Sequence, residues 1–342
     1  MPELIAPGRR YRSFAMDTRP IPRLALAMFA GLLLVVAGCG ADDTASPSTV
    51  PASGATSTTV AAAGGSIVNT WSGATVDPKR LPLGDGKVST TAAATGAIFA
   101  CSAGNPNGAG AQVAGTWIDV ANRTWDMTKK LAVQGSRTWE AANFTEAVKG
   151  ADRVLTTNGL PVRTITGTFP IATTDPAYAF DKNPNSIKPQ TITTLTLPVQ
   201  PTPASKVSCL GMGAIGIVRN GVFVFASLDE RNRDAVAYET QDACDGHPQQ
   251  SGTYHYHDVP SCLRTLATGA SVVVGFANDG YPIVIERDAA GNLPTNADLD
   301  ECHGRTSPVD LDGATTTMYH YSATLEFPYF IGCYHGTPVT KR

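Results

Sequence analysis

Beyond about position 90 the chain runs in short apolar and threonine-rich stretches separated by glycine and proline. Val162 to Phe169 and Thr191 to Leu197 alternate threonine with branched apolar residues, the pattern of strands with one face buried. Trp117–Ile118 and Leu155 to Leu160 read the same way. With 33 glycines and 24 prolines interrupting the chain, long helices have little room; one short helix is expected over Trp139 to Val148. The predicted fold class is therefore mainly β, with few short helices.

The apolar pattern repeats in the C-terminal third. Asn220-Gly221 and Asp279-Gly280 each sit between β-formers, with Gly216 and Gly275 five residues before the turn glycines. Such dipeptides predict tight hairpins in which both turn residues take positive φ. Downstream, Asp242-Ala-Cys244-Asp-Gly246 and the strand Thr253 to His257 (TYHYH) recur as Asp300-Glu-Cys302-His-Gly304 and Met318 to Ser322 (MYHYS). From Gly221 to Cys244 is 23 residues, and from Gly280 to Cys302 is 22. The unit is a hairpin, a polar connection, an Asp-x-Cys-x-Gly turn, an aromatic-His strand and a closing cysteine. Its two copies span 212–262 and 271–333.

The N-terminus changes the picture from fold to location. Arg9, Arg10, Arg12, Arg19 and Arg23 precede an unbroken small and apolar run, Leu24 to Ala37. That run is shorter than the roughly 20 residues a spanning helix needs and reads as a signal-peptide core. It ends in Val36-Ala37-Gly38-Cys39, which resembles a bacterial lipobox and implies a lipid on Cys39. Residues 1–38 are expected to be a lipoprotein signal peptide. Residues 39–65, rich in Ala, Ser, Thr and Gly, cannot bury enough surface to order themselves and are expected to be a disordered tether. Then come a 66–205 N-terminal β region and a 206–342 domain holding the two repeats. This places the folded part at a membrane, lipid-anchored on the extracytoplasmic face. Residues 1–38 carry five arginines and two acids of the chain's 26 basic and 29 acidic residues, which leaves 21 against 27, a balance of −6. A mildly acidic domain without a basic run argues against nucleic acid as a partner.

With Cys39 lipidated, Cys101, Cys209, Cys244, Cys262, Cys302 and Cys333 remain. An even count in an exported domain points to disulfides, although six cysteines allow fifteen pairings. The duplication favours one of them. Each repeat holds one cysteine before and one after its aromatic-His strand, so Cys244–Cys262 and Cys302–Cys333 are expected, leaving Cys101–Cys209. Thiolate metal ligation, the alternative, lacks any C-x-x-C spacing.

Taken together, DACDGHP with TYHYH, GFANDGYPI, and DLDEC with YHY and FPYFIGCYHG resemble the YHYH-domain family, named for that tetrad. TTNGLP, TGTFP and DKNPNSI extend the likeness over roughly 90–338. The resemblance implies a cysteine-framed domain of this type and no particular activity.

All six histidines lie between His247 and His335. On a strand, His255 and His257 share one face and Tyr254 and Tyr256 the other. His247, eight residues before His255, can return beside the pair across a loop, which makes a site of three imidazoles, or of two imidazoles and a carboxylate, suited to zinc or copper. Asp242 and Asp245 are candidates to orient the rings, or to act as base if the site is a metal-dependent hydrolase. His320 joins the candidate ligands if the repeats pack face to face. However, the second copy has Arg305 and Ser322 where the first has His247 and His257, which makes it the structural half. His335 is expected at the surface. Asp181, Asn183 and Asn185 alternate as in a calcium loop but lack its glycine and closing glutamate, so an Asx-turn loop is expected. Three functions remain open: a binding module with a His-based metal site, a metal-dependent hydrolase, and a purely structural envelope module.

Overall fold

The computed structural model describes Trp71 and residues 73–339 except Leu266. These belong to one compact unit. The expected signal segment, Cys39, the whole of the expected tether and the residues up to 70 lie outside the described residues. No helix among those described is long and apolar enough to cross a membrane.

The protein is mainly β, as its alternation predicts. A three-stranded antiparallel meander is formed by β1 (Phe144–Lys149), β2 (Asp152–Thr157) and β3 (Thr193–Pro198). The helix expected over Trp139 to Val148 is absent. Phe144 onward pairs with β2 through a turn at Gly150, so cross-strand pairing overrides local helical preference. Val162 to Phe169 is not a strand either, making only a single bridge, Arg137 to Thr166. There the Gly167 N–H donates to the Asp242 carboxylate at 2.8 Å, so a side chain takes the place of a neighbouring strand.

The two repeats make one eight-stranded sheet. The first contributes β4 (Ala214–Val218), β5 (Phe223–Phe225), β6 (Gly246–Pro248) and β7 (Tyr254–Tyr256). The second contributes β8 (Ser271–Ala277), β9 (Pro282–Glu286), β10 (Gly304–Leu311) and β11 (Ala314–Ser322). The order is β6-β7-β5-β4-β8-β9-β11-β10, which reads the same from either end once each strand is exchanged for its counterpart. β4 and β8 pair antiparallel through Gly216↔Ala277, Ile217↔Phe276 and Val218↔Gly275. Gly216 corresponds to Gly275 and Val218 to Ala277, so a pseudo-twofold axis passes between Ile217 and Phe276. The axis explains the paired glycines. A Cβ on Gly216 would lie 2.5 Å from the Phe276 carbonyl oxygen, and one on Gly275 would lie 2.6 Å from that of Ile217. The repeats therefore lie edge to edge, not face to face.

Each hairpin turns as its sequence predicts, but with different geometry. Gly221 (φ 89°) and Gly280 (φ 91°) are left-handed, while Asn220 and Asp279 are not. Gly221 N–H donates to Val218 O at 2.8 Å, and Gly280 N–H to Ala277 O at 3.0 Å. These are three-residue loops closed by a glycine bulge. The polar residue of each turn is held by the tetrad's second tyrosine: Asn220 Nδ2 donates to Tyr256 Oη at 2.9 Å, and Tyr321 Oη donates to Asp279 Oδ2 at 2.5 Å.

One face of the sheet packs on the meander, with Leu155, Leu195 and Leu197 against Ile217, Phe223, Phe276 and Val284. The other face, including Tyr254, Tyr256 and Tyr321, packs on the loop-rich segments around Trp117, Trp125 and Phe327. Each fully buried Leu or Ile contributes about 1.5–3 kcal/mol. Two four-residue helices, α1 (Ala235–Tyr238) and α2 (Ser261–Arg264), lie in the first repeat. Three disulfides, Cys101–Cys209, Cys244–Cys262 and Cys302–Cys333, close the frame with the pairing the duplication favours.

Candidate metal centre

His247 lies on β6, His255 at the centre of β7 and His257 one residue past its end. β6 and β7 are antiparallel with His247 opposite His255, and the two-residue period of a strand turns His255 and His257 to one side. All three rings are buried. Their Nε2 atoms converge, with 3.1 Å between His255 and His257 and 3.1 Å between His257 and His247. One ligand atom from each lies within 4.8 Å of the others, an arrangement that could hold a metal ion.

Main-chain oxygens aim the rings. His255 Nδ1 lies 3.1 Å from the Thr253 carbonyl, and His257 Nδ1 lies 2.6 Å from that of Ala226. A carbonyl only accepts, so each Nδ1 carries a proton, and in the neutral ring each Nε2 is left with a lone pair. Burial, reinforced by the neighbouring His257, pushes the His255 pKa well below its ordinary value; burial followed by the two other rings does the same to His247. The Phe225 ring stacks on His255 at a centroid distance of 4.0 Å and fixes its plane.

A carboxylate completes the cluster. Glu239 follows α1, a helix started by Asp234, whose side chain accepts from the Ala237 N–H. Glu239 Oε2 stands 3.2 Å from His257 Nε2 and 3.3 Å from His247 Nε2. That oxygen and His247 Nδ1 are buried without a hydrogen-bond partner. Burial raises the Glu239 carboxyl above its ordinary value against the pull of His257. The helix is clamped from the N-terminal region: Trp117 Nε1 donates to Ala237 O at 2.8 Å, and the buried Lys130 Nζ donates to Val236 O and, at 2.6 Å, to Gln241 Oε1. No strand period or motif marks Glu239. The available signal lies in comparing the two copies: counting back from the repeat cysteines, Glu239 corresponds to Ala297, so it changes together with His247 and His257.

The equivalent place in the second repeat is built differently. The strand registers Gly246↔Tyr256 and Gly304↔Tyr321 match, so Arg305, His320 and Ser322 stand where His247, His255 and His257 stand. They converge on the buried Glu286 of β9. Arg305 Nε, His320 Nε2 and Ser322 Oγ meet its Oε1 at 2.8, 2.9 and 2.5 Å, and Ser307 Oγ meets Oε2 at 2.9 Å. Burial alone would raise the Glu286 carboxyl, but the bonds from His320 and Arg305 hold it well below the usual carboxylate range. His320 is thus not brought to the other imidazoles, because four strands separate β7 from β11.

The two candidate aspartates also point elsewhere. Asp242 accepts from the N–H groups of Gly167, Cys244 and Gly246 and from Tyr254 Oη at 2.8–3.2 Å. Its counterpart Asp300 accepts from Cys302, Gly304 and Tyr319 in the same way. Asp245 holds Ser261 N–H at 2.7 Å and Arg264 Nη2 at 2.9 Å. Neither has an imidazole partner, so neither orients a ring of the cluster. Asp181 and Asn183 form successive Asx turns, and Asn183 Nδ2 donates to Pro248 O at 2.9 Å, bracing the strand that carries His247. His335 is half-buried rather than at the surface, stacked on Tyr319 at 3.7 Å.

Fold and site together define a disulfide-braced β domain of two fused repeats, with a buried imidazole cluster in the first. A family model described as YHYH protein matches residues 194–295; the chain carries a YHYH domain. The match takes in the whole first repeat, Glu239 and the three clustered histidines, and it ends before the second Asp-x-Cys-x-Gly turn. It is narrower than the 90–338 span over which short motifs resemble the family. No curated protein and no solved structure matches the chain.

Proposed function

We propose that the protein is an extracytoplasmic, lipid-anchored binding module whose first repeat holds one transition-metal ion on His247, His255 and His257. One observation carries the metal reading: the Nε2 atoms of His255 and His257 face each other at 3.1 Å while both Nδ1 protons are committed to carbonyls. Two buried lone pairs at that distance repel, and a cation between them turns the repulsion into coordination. Metal-bound histidines characteristically donate their other ring N–H to a main-chain carbonyl or carboxylate, as these two do. The second repeat supports the reading by contrast. There the same positions carry donors gathered around an anion, so the first repeat alone presents lone pairs with no group of its own to satisfy them. Imidazole donors suit zinc or copper. The expected signal segment and the lipobox-like Cys39 support a membrane-anchored location, and three disulfides suit an oxidising compartment.

The test is metal analysis of the purified chain, made without a histidine tag. About one ion per chain is expected, as each set of convergent donors holds one, and a His255→Ala/His257→Ala double variant should lose it. Equal metal content in parent and variant would show that the ion, if any, sits elsewhere.

A further inference from the structure

We propose that Glu239 is the fourth ligand, making a closed, four-coordinate N3O centre suited to zinc that ties the sheet edge to α1; this rests on the metal reading above. Shape is the first argument. His257 Nε2 has three donor neighbours at nearly one distance: His255 and His247 Nε2 at 3.1 Å and Glu239 Oε2 at 3.2 Å. In a square-planar set each donor has two near neighbours and one opposite it about 1.4 times farther away. Three equal neighbours do not fit that geometry, the one copper(II) prefers.

Size is the second argument. Zinc–nitrogen bonds of about 2.0–2.1 Å place the donors of a tetrahedron about 3.3 Å apart. Four of the six donor separations here, with 3.3 Å between Glu239 Oε2 and His247 Nε2, run from 3.1 to 3.3 Å; His255 stands farther from His247, within 4.8 Å, and an ion would draw its ring inward. The third argument is Glu239 Oε2 itself, a buried oxygen with no hydrogen-bond donor. A buried carboxylate oxygen left in that state costs several kcal/mol, and coordination removes the cost.

A set of four protein ligands leaves no position for a substrate, which is the pattern of structural rather than catalytic zinc. The ion would join β6, β7 and α1. Because Trp117 and Lys130 hold α1, it would also link the N-terminal region to the outermost strands of the first repeat. The second repeat needs no such link: its carboxylate, Glu286, comes from β9 within the sheet.

The experiment uses the full chain, stripped with a chelator and titrated with zinc chloride or cobalt chloride, in wild type and in Glu239→Gln. Cobalt in the wild type should give the intense visible bands of a four-coordinate ion. The variant should lose at least tenfold in zinc affinity, and its cobalt bands should weaken and shift. Its metal-free melting temperature should not fall, whereas the rise on adding zinc should shrink. Zinc affinity in Glu239→Gln within twofold of wild type, or the weak spectrum of six-coordinate cobalt in the wild type, would overturn the proposal and leave three-imidazole binding standing. Binding of neither ion by the wild type would remove both. The wild-type cobalt spectrum decides the geometry even if the variant does not fold.

Discussion

Replacing Glu286 with Gln tests the idea that the second repeat fills with a carboxylate the place where the first collects imidazoles. The substitution keeps the volume and removes the charge that four donors share. Hydrogen bonds to a charged group contribute about 1.5–3 kcal/mol and neutral ones about 0.5–1.5, so each bond weakens by roughly 1 kcal/mol. Arg305 is one-third exposed, and solvent screening roughly halves its share. His320 is fully buried, and both its ring nitrogens face acceptors, Met318 O and Glu286, so its loss is undiscounted. The total is about 3 kcal/mol, or roughly 6–12 °C in a unit of this size. The pH dependence follows from the depressed Glu286 pKa. A carboxyl held lower in the folded than in the unfolded state stabilises fully above its unfolded value of about 4.3, and that stabilisation is lost as pH falls toward the folded value. The gap between wild type and Glu286→Gln should therefore be widest at neutral pH. Below about pH 4.3 it should narrow by up to about 1.4 kcal/mol per unit. Urea or thermal unfolding at pH 7 and pH 3 measures it. A gap under about 1 kcal/mol at pH 7, or one of equal size at pH 3, would refute the reasoning.

Two further outcomes follow from the pseudo-twofold relation. Gly216→Ala and Gly275→Ala each drive a Cβ to within 2.6 Å of a carbonyl oxygen on the opposing strand; each should cost about 1–3 kcal/mol, and one neutral substitution in urea unfolding would contradict the register across the axis. A triple variant, Glu286→Ser with Arg305→His and Ser322→His, recreates the first repeat's residues in the second. It should raise metal stoichiometry from one to two, the second ion binding more weakly because Ala297 supplies no carboxylate, and unchanged stoichiometry would count against the equivalence of the two places.

The repeat made much of this legible in advance. Asp-x-Cys-x-Gly and the closing cysteines appear twice, and the disulfide pairing follows because each copy must close itself. The three imidazoles were legible because strand period places His255 and His257 together and Pro248 to Gly252 is long enough to return His247. The hairpins were legible and their turn geometry was not. Asn-Gly and Asp-Gly serve both a two-residue turn and a three-residue loop with a glycine bulge, and the strand register selects the second. Val162 to Phe169 carries a strand pattern, yet its backbone bonds are scattered over Asn220, Arg137 and Gln134, and its Gly167 N–H goes to the Asp242 carboxylate, 75 residues away. Glu239 reaches the cluster only through the packing of α1 against Trp117 and Lys130, which no local pattern encodes.

The most direct measurement is anomalous scattering at the zinc edge from crystals of the chain grown with zinc. One peak is predicted within about 2.0–2.1 Å of the Nε2 atoms of His247, His255 and His257, with Nδ1 of His255 and His257 still donating to Thr253 and Ala226. Rings turned apart, each Nε2 bonded to its own protein partner with no peak among them, would contradict it.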